Sequence, residues 1–428
     1  MPPWRQSGFR LFWAGQSLGI FGGQISELTV PSVAVLLLGA DAVAVGLLKA
    51  LQVLPYLLFG LLIGALSDRG SRRRLILVAS IGRALVLTSI PVAAALHSLN
   101  LWMLYLVAAV YGTLTVMFTV TCQAYLPELV VRPQLAGANV SLQFSRSAIE
   151  IVSPAISGLM IQWLGAANAI VADALSHLSA AFAIARLPVS PAPQAVAAKL
   201  WRGLGPQIRE GLGFVCRQPT IRSVTLTSTT LNFGYAIGQA VLLLFAYREL
   251  RLTPAQVGSL LALGSVGFVL GAAVASPLSH RLGLLRTLGL SGLLIGLGLL
   301  LLPLARLGFA GPLVAASQFL ISMQFPIYNA NQVTLRQGLT PIELQGRVNA
   351  TVRTVGMGAI AIASGLAGLL GLRLGLRPTI MIGGLIAALS PAWLITNLGS
   401  ADRRGEGSSV PEGRVEPIEP AQQAGPLE

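Results

Sequence analysis

Long apolar runs, each ended by a short polar or glycine-containing break, follow one another along almost the whole chain. Each run has about 20 residues or more, the length at which an α-helix crosses the hydrocarbon core of a bilayer. Lipid offers no hydrogen-bond partner to an open strand, so we expect these runs to be helices. The pattern predicts an all-α integral membrane protein with twelve transmembrane helices, near residues 11–37, 43–66, 75–96, 101–127, 137–163, 166–186, 220–247, 253–278, 287–305, 309–337, 347–371 and 376–398.

The predicted helices form two groups of six, separated by a more polar stretch that opens with prolines. This stretch contains an amphipathic segment near residues 204–215, typical of a helix lying on a membrane surface. From residue 399 onward the chain is rich in Gly, Pro, Ser and Glu, as disordered tails are. The pattern therefore predicts five segments: a cytoplasmic N-terminus at 1–10, an N-terminal six-helix half at 11–186, a cytoplasmic linker with an amphipathic helix at 187–219, a C-terminal six-helix half at 220–398 and a disordered cytoplasmic tail at 399–428.

The composition agrees with lipid as the main surroundings of the chain. Of its 428 residues, 54% are hydrophobic and only 10% are charged, and the mean hydropathy is +0.74. Soluble proteins carry about 25% charged residues. A chain with so few charges cannot cover a surface that faces water on all sides, so an ordinary soluble protein is excluded.

The basic residues lie mostly between the spans and are distributed unequally between the two membrane surfaces. The chain has 29 basic and 15 acidic residues. With the N-terminus inside, 21 basic residues fall at or near the inner surface and five outside; this count includes Arg83, which we expect to snorkel inward. The positive-inside rule then predicts two cytoplasmic termini in the plasma (inner) membrane. The same rule accounts for the net charge of +14, so we expect no nucleic-acid partner.

Residues suited to catalysis or metal binding show no recognisable spacing. The chain has two cysteines, Cys122 and Cys216, and three histidines that are far apart in the sequence. No zinc motif, phosphate-binding loop or nucleophile elbow is present. We therefore expect a protein that is not an enzyme and that uses no metal and no cofactor.

Polar and loop residues of the first half recur in the second half at a nearly constant distance. An offset of 212 aligns Gly46 with Gly258 and the segment 67–69 with 279–281, and an offset of 210 aligns Asn139 with Asn349. Two parallel repeats with a binding site between them are the architecture of many carriers. The repeat therefore predicts two pseudo-symmetric halves.

The loop after the second predicted helix has a distinctive run of small, acidic and basic residues, Gly-Ala-Leu-Ser-Asp-Arg-Gly-Ser-Arg-Arg-Arg at 64–74. This run resembles the loop between helices 2 and 3 of the major facilitator superfamily, whose pattern is G-x-x-x-D-R-x-G-R-[RK]. The resemblance implies a role in gating for residues of this loop and of two further segments: Gly64, Asp68, Arg69, Gly70, Arg72, Arg73, Pro154, Gly158, Gly346 and Arg347.

Other segments resemble the bacterial efflux branch of that superfamily, which contains enterobactin- and macrolide-exporter-like proteins. Ser-Pro-Ala-Ile-Ser-Gly at 153–158 is similar to an element associated with antiporters. The remaining segments are 124–129, 145–147, 173–176, 247–250, 331–333 and 346–350. The resemblance covers nearly the whole chain up to residue 398 and implies the major facilitator fold.

Two departures from the family pattern bear on the energy source. His280 stands where the second copy of the loop motif has Asp, and Ala108 stands where many proton-coupled drug antiporters carry an arginine. The resemblance therefore implies a secondary active transporter and leaves its coupling ion open.

Charged residues within the predicted spans need a partner or a water-filled cavity, because a lone charge in lipid is costly. Glu27 is either a proton or cation site or the ion-pair partner of Lys49 on the neighbouring helix. Arg146 and Glu150 are four residues apart and share a helix face, either as an ion pair or as a substrate contact. For Asp173 we favour a structural hydrogen-bonding role.

Polar and aromatic residues are interspersed on the seventh and tenth predicted spans. Such a surface suits a large amphiphilic substrate, and equally the interhelical hydrogen bonds of a membrane bundle. The candidate substrate residues there are Asn232, Tyr235, Gln239, Gln324, Tyr328 and Asn329.

Together these features favour a secondary active exporter of hydrophobic or amphiphilic small molecules, of a drug, macrolide or siderophore-like kind, that works by alternating access. Proton antiport is one way to drive it. An importer or lipid flippase of the same fold, and a non-transporting membrane receptor or scaffold, are the alternatives. We expect a monomer whose partners are a small-molecule substrate, membrane lipid and, in an antiporter, protons.

Overall fold

A computed structural model describes Trp4 and residues 6–187, 200–306, 309–341 and 343–395. These residues form α-helices joined by short turns, with no β-strand among them. The predicted disordered tail at 399–428 lies outside the described residues. The α-helices of the described part are α1 (Ser7–Leu36), α2 (Ala42–Arg69), α3 (Arg72–Ala95), α4 (Leu101–Leu129), α5 (Leu135–Leu164), α6 (Ala166–Ala185), α7 (Leu200–Arg217), α8 (Pro219–Arg248), α9 (Pro254–Leu282), α10 (Leu284–Leu301), α11 (Ala310–Leu339), α12 (Gln345–Leu374) and α13 (Leu376–Leu389).

Eleven of these described helices are long and apolar enough to cross a membrane. The two others are α7, which is amphipathic and joins the two groups of helices, and α11, which is 30 residues long but rich in Gln and Asn. Because α11 packs against α9 and α10 like its apolar neighbours, we count it with the bundle. The predicted all-α membrane fold is confirmed, with eleven of the twelve predicted spans having the length and hydropathy of membrane helices.

The helices form an N-half (α1–α6) and a C-half (α8–α13) and run alternately between two ends of the bundle. We call the end that carries α7 and the helix end at Leu129 the linker side. The opposite end, which carries Leu36, Arg248 and Leu374, is the far side. Between the halves the main contacts join α2 to α12 and α5 to α9.

These two contacts between the halves are equivalent to one another by the internal repeat. Gly46 of α2 packs on Gly368 of α12, and Gly158 of α5 packs on Gly258 of α9. Gly46 and Gly258 are related by the larger of the two offsets found in the sequence, and Gly158 and Gly368 by the smaller. An axis that exchanges the halves therefore exchanges the two contacts, as the predicted pseudo-two-fold arrangement requires.

Turn residues that start and end the helices follow the same repeat. Gly165 and Gly375, again related by the smaller offset, each form the single-residue turn between two helices on the far side, with φ of 83° and 89°. A side chain is disfavoured in this left-handed region, so glycine permits the tight reversal. On the same side, Asp41 Oδ1 accepts a hydrogen bond from Ala44 N at 2.8 Å and caps α2.

Candidate functional site

On the far side the two halves touch backbone to backbone. A Cβ atom placed on Gly46 would lie 2.6 Å from Ser364 O and 2.8 Å from Gly368 N, closer than real side chains come. At the equivalent crossing, a Cβ on Gly258 would lie 2.9 Å from Gly158 Cα. Small residues allow membrane helices to approach this closely. The far side is therefore closed along both contacts.

Polar contacts between the halves add to this far-side closure. Arg248 Nη2, at the end of α8, donates to Gly39 O at 2.7 Å and to Ala40 O at 2.8 Å in the turn between α1 and α2. One helical layer deeper, the hydroxyls of Ser32 and Tyr247 are 2.8 Å apart and join α1 to α8. Both contacts hold the C-half against the far-side end of α1.

The apolar core is continuous between the two halves on the far side and divided between them on the linker side. The largest cluster of buried apolar side chains runs through both halves and includes the far-side ends of most helices. Two smaller clusters lie toward the linker side, one around Phe12 and Ile76 within the N-half and one around Val215 and Val348 within the C-half and α7. The halves thus share a core on the far side and have separate cores on the linker side.

A cleft separates the halves on the linker side. Gly64 lies about five helical turns after Gly46 on the same face of α2, yet no atom of the described residues would lie within 4 Å of a Cβ placed there. The same is true of Gly346 near the start of α12. The cleft has a volume of about 240 Å³ and is lined by Tyr56, Gly60, Val120, Asn349, Ala350, Arg353, Thr354 and Met357.

We expect Arg248→Ala to open the far side more often. The variant loses two charge-assisted hydrogen bonds at a partly solvated position, which together contribute about 1–2 kcal/mol. The reporter is a cysteine introduced by Ser364→Cys into a protein whose Cys122 and Cys216 are replaced by alanine. Ser364 is buried at the α2–α12 contact. When Arg248→Ala is added, the rate at which a membrane-impermeant maleimide labels this cysteine should rise about tenfold, because a loss of about 1–2 kcal/mol changes the open fraction by about that factor.

Arg251→Ala is the matched control for this prediction. Arg251 lies three residues further along the same turn and makes no bond to the N-half among the described residues. Equal labelling rates in the Arg248 and Arg251 variants would show that the two carbonyl contacts do not hold the far side closed.

Glu27 and Lys49, predicted to be either a pair or a coupling site, form an ion pair between α1 and α2. The Glu27 side chain is 56% exposed although both neighbours in the sequence, Ser26 and Leu28, are buried. Glu27 also acts electrostatically on Tyr235 of α8, in the other half. The pair therefore faces the space between the halves.

The second predicted charged pair lies on one helix. Arg146 Nε donates to Glu150 Oε1 at 2.8 Å, and both side chains are at least partly exposed. One residue before Arg146, the Ser145 hydroxyl accepts a hydrogen bond from Trp13 Nε1 at 2.8 Å. This contact fixes the linker-side half of α5 against α1.

The polar candidates of the C-half do not share one surface. The rings of Tyr235 and Phe325 meet edge to face at 4.9 Å, which joins α8 to α11 near Glu27. Gln324 and Tyr328 are buried within the C-half, whereas Asn329 is exposed. Asn232 and Gln239 are partly buried on α8. Tyr235 is thus the member of this set that the structure brings near the charged pair.

Two arginines of the loop motif, Arg72 and Arg73, bind helix ends within their own half. Arg72 Nη1 donates to Ala124 O at 3.0 Å and pairs with Glu128, both near the end of α4. Arg73 Nε donates to Ile184 O at 3.2 Å at the end of α6. Cations at helix C-termini are favourable because the last carbonyls carry partial negative charge. These contacts bind the end of the N-half together.

The other motif residues are placed as follows. Gly70 ends α2, its N–H donating to Leu66 O at 2.9 Å. The backbones of Asp68 and Arg69 belong to α2, and their side chains lie outside the described ones. Arg347 pairs with Glu210 of α7. Pro154 lies at the α5–α9 contact, where its carbonyl faces Gly258.

The expectation that Arg83 snorkels to the inner surface is wrong. Its side chain is only 2% exposed, and its guanidinium carbon lies 4.0 Å from the centre of the Phe118 ring inside the N-half. The reason is lateral packing: α3 turns this residue toward α1 and α4, where Gly19 leaves room for the guanidinium. Hydropathy along one helix does not show this direction.

A buried polar cluster in the N-half lies near this arginine and was not predicted as a site. Ser26 of α1 donates to Asp173 of α6, and His177 Nε2 lies 3.0 Å from Asp173 Oδ1 and 3.3 Å from the Tyr111 hydroxyl. Two features of the sequence could have shown it: Asp173 and His177 are one helical turn apart, and Gly19, Gly22 and Gly23 crowd one stretch of α1.

Known proteins resemble this chain over most of its length. The family model of the Major Facilitator Superfamily matches residues 12–363 and 232–419. The chain is 26% identical to the uncharacterized MFS-type transporter YfiS of Bacillus subtilis (strain 168), over 86% of this chain and 85% of that protein. It is 25% identical to Macrolide efflux protein A of Streptococcus pyogenes (88% and 93% covered) and 27% identical to the multidrug efflux pump Tap of Mycolicibacterium fortuitum (74% and 76%).

Solved structures share the fold at low sequence identity. The nucleoside transporter NupG matches with a TM-score of 0.73 at 11% identity, over 91% of this chain and 98% of that chain. A bacterial homologue of the iron transporter ferroportin, solved in an inward-facing state, matches with a TM-score of 0.72 at 16% identity, over 91% and 98%. At these identities the likeness establishes the architecture of the bundle.

Proposed function

The chain belongs to the Major Facilitator Superfamily, and from that premise we propose that it is a secondary active exporter of hydrophobic or amphiphilic small molecules that works by alternating access. It is a multi-pass membrane transporter and not an enzyme. The observation that carries the proposal is the one-sided cleft: the halves touch through glycines on the far side and part on the linker side.

The charge distribution supports a cytoplasmic linker side. When Arg83 is counted as an interior residue, twenty basic residues of the sequence still belong to the linker side and five to the far side. By the positive-inside rule, both termini and α7 face the cytoplasm of a plasma (inner) membrane. The cleft then opens to the cytoplasm, where an exporter takes up its substrate. We propose a monomeric carrier, with the two halves bounded near 11–186 and 220–398.

The lining of the cleft supports an amphiphilic substrate. Tyr56 and Met357 offer aromatic and apolar surface, and Asn349 and Arg353 offer polar groups. The Arg353 guanidinium carbon lies 5.8 Å from the centre of the Tyr56 ring, so the two side chains face each other across the cleft. Mixed sites of this kind bind bulky ligands through apolar area and orient them through a few polar groups. Relatives named for macrolide and multidrug efflux support the same substrate class.

The predicted gating residues fit this cycle as a proposal. Gly64, Asp68, Arg69 and Gly346 lie where α2 and α12 must approach when the linker side closes. Gly70, Arg72 and Arg73 hold the end of the N-half rigid during that approach, and Arg347 connects α12 to α7. Pro154 and Gly158 form the α5–α9 contact that must part when the far side opens.

Uptake by everted membrane vesicles tests the proposal. A panel containing ethidium, erythromycin and chloramphenicol is offered with an imposed pH gradient, with and without an ionophore that collapses it. We expect the vesicles to accumulate at least one compound when the protein is present. Vesicles that accumulate none of an extended panel under any gradient would contradict export.

We expect Glu27→Gln to change substrate charge preference rather than to remove the driving force. The variant leaves the Lys49 ammonium without its carboxylate in the space between the halves. Export of the cation ethidium should fall about fivefold relative to neutral chloramphenicol, since an ion pair at this exposure contributes about 1 kcal/mol. The double variant Glu27→Gln with Lys49→Met should restore the ratio. Loss of pH-driven export of the neutral compound in both variants would show that Glu27 carries the proton.

A further inference from the structure

The buried polar cluster of the N-half lies apart from the cleft and is fully enclosed by protein. The side chains of Asp173 and His177 are 0% exposed, and that of Arg83 is 2% exposed. Asp173 accepts from Ser26, and His177 lies between Asp173 and the Tyr111 hydroxyl. Four helices, α1, α3, α4 and α6, contribute to the cluster.

Three glycines of α1 make room for this cluster. A Cβ atom on Gly22 would collide with the Asp173 carboxylate and the Ser176 hydroxyl, and one on Gly23 would lie 3.5 Å from the Tyr111 hydroxyl. A Cβ on Gly19 would lie 3.7 Å from Arg83 Nη2. The backbone of α1 therefore lines the whole cluster.

The hydrogen bonding of the cluster is incomplete. Arg83 Nη2 and His177 Nδ1 are buried and have no hydrogen-bond partner among the described residues. The Arg83 Nε donates weakly to Ala79 O at 3.4 Å, and the guanidinium otherwise stacks on Phe118. Structural polar networks in protein interiors are usually fully paired, because each unpaired group costs free energy. Spare donors and acceptors here favour a network that changes its protons during function.

The charges of the cluster balance in one protonation state. The formal charges of one arginine, Arg83, and one aspartate, Asp173, cancel when His177 is neutral. The other titratable side chains that face the cluster are Tyr111 and Cys122 on α4, Tyr56 on α2 and Glu27 on α1. On α5, which also packs on α6, Arg146 and Glu150 pair with each other. Uptake of one proton makes the cluster positive.

We propose that Asp173 is the proton-binding carboxylate of this carrier, with His177, Tyr111 and Ser26 as the groups that position and relay its proton. Because the cluster is fully enclosed in the present conformation, rocking of the halves must open a water path to Asp173, which takes up its proton from one side and releases it to the other. Adjacent residues of α1 join this site to the charged pair, since Ser26 bonds Asp173 while Glu27 pairs with Lys49. The proposal rests on the proposed transport function and assigns its coupling site.

Infrared spectroscopy of the purified full-length protein tests proton binding without any substrate. The chain has four aspartates, Asp41, Asp68, Asp173 and Asp402. With ¹³C-labelled aspartate, the carbonyl stretch of a protonated aspartic acid moves to lower frequency, whereas that of a glutamic acid does not. We expect a pH-dependent band that moves on labelling, is lost in Asp173→Asn and is retained in the control variants Asp41→Asn and Glu27→Gln.

The contrary outcomes are equally specific. Absence of a labelled band in the wild type across the pH range of stability would overturn the proposal, and so would a band that survives in Asp173→Asn. Should Asp173→Asn fail to fold, Tyr111→Phe removes only the hydroxyl near His177. It is expected to change the midpoint of the labelled band, and an unchanged midpoint counts against the cluster.

Vesicle transport then separates coupling from proton binding. Asp173→Asn should lose pH-driven accumulation of the exported compound and keep its downhill exchange. If the wild type shows the labelled band but Asp173→Asn keeps normal pH-driven accumulation, the coupling role is overturned. A wild type that transports nothing in the panel contradicts the proposed function itself, and the infrared titration still decides whether Asp173 binds a proton.

Discussion

Gly46→Leu and Gly64→Leu are expected to stop transport in opposite conformations. A leucine at Gly46 cannot fit beside Ser364 O and Gly368 N, so the far side cannot close. A Cβ at Gly64 has no atom of the described residues within 4 Å, so we expect a leucine there to be accommodated in the present conformation and to obstruct the approach of α2 to α12 when the linker side closes. Overpacking costs about 1–3 kcal/mol, a shift of about 5- to 150-fold between the two conformations.

Two reporter cysteines read these conformations in the background without Cys122 and Cys216. Ser364→Cys reports the far side, and Thr354→Cys reports the cleft. Gly46→Leu should make the far-side reporter reactive and protect the cleft reporter, and Gly64→Leu should do the reverse. Gly213→Leu on α7, where the part of the chain that the structure describes places no atom within 4 Å of a Cβ, is the control with unchanged transport. If the same reporter cysteine were the reactive one in both variants, closure at this face of α2 would be contradicted.

Gly22→Ala is expected to destabilise the N-half strongly, whereas Gly23→Ala is not. The new methyl group at Gly22 collides with the Asp173 carboxylate and the Ser176 hydroxyl, both of which are buried. The methyl group at Gly23 is 3.5 Å from the Tyr111 hydroxyl, an ordinary contact. Relief of the collision must move the Asp173 carboxylate, which accepts a hydrogen bond from Ser26, so the cost is about 1–3 kcal/mol.

Thermal unfolding in detergent, followed by size-exclusion chromatography with fluorescence detection, compares the two alanine variants directly. Gly22→Ala should unfold several degrees below the wild type, as about 1–3 kcal/mol of lost stability requires. Gly23→Ala should unfold close to the wild type. Equal transition temperatures for the two variants would show that α1 does not pack on the cluster as described.

Hydropathy predicted the membrane helices well because burial in lipid requires long apolar runs, whatever their neighbours. The limits of α12 show this: the predicted span 347–371 lies within Gln345–Leu374. Among the predicted spans, only α11 lacks the hydropathy of a membrane helix, because Gln318, Gln324 and Asn331 are buried against other helices and lower its hydropathy. A helix enclosed by protein can be more polar than one that faces lipid.

The lateral direction of each side chain could not be read from the sequence. Arg83 was placed at the surface, although α3 turns it into the N-half, and Tyr328 was grouped with substrate residues, although it is buried. Whether Glu27 binds Lys49 depends on how α1 and α2 pack, and the structure joins them in an ion pair. Contacts between helices distant in sequence, such as Ser26 with Asp173, arise from the fold.

The repeat connects sequence and mechanism most closely. The two offsets that align the halves also relate the two glycine contacts that close the far side. Rocking of one half on the other must therefore part α2 from α12 and α5 from α9 together. A single far-side closure made of two equivalent contacts is suited to open and close as a unit.

Distances between spin labels on the two sides test alternating access most directly. One pair, Leu37 with Leu374, spans the halves on the far side, and a second, Val131 with Leu282, spans them on the linker side; all four side chains are exposed. When a compound exported in the vesicle panel is added, we expect the far-side distance to lengthen and the linker-side distance to shorten in the same molecules. Two distances that stay fixed, or that change in the same direction, would contradict transport by rocking of the halves.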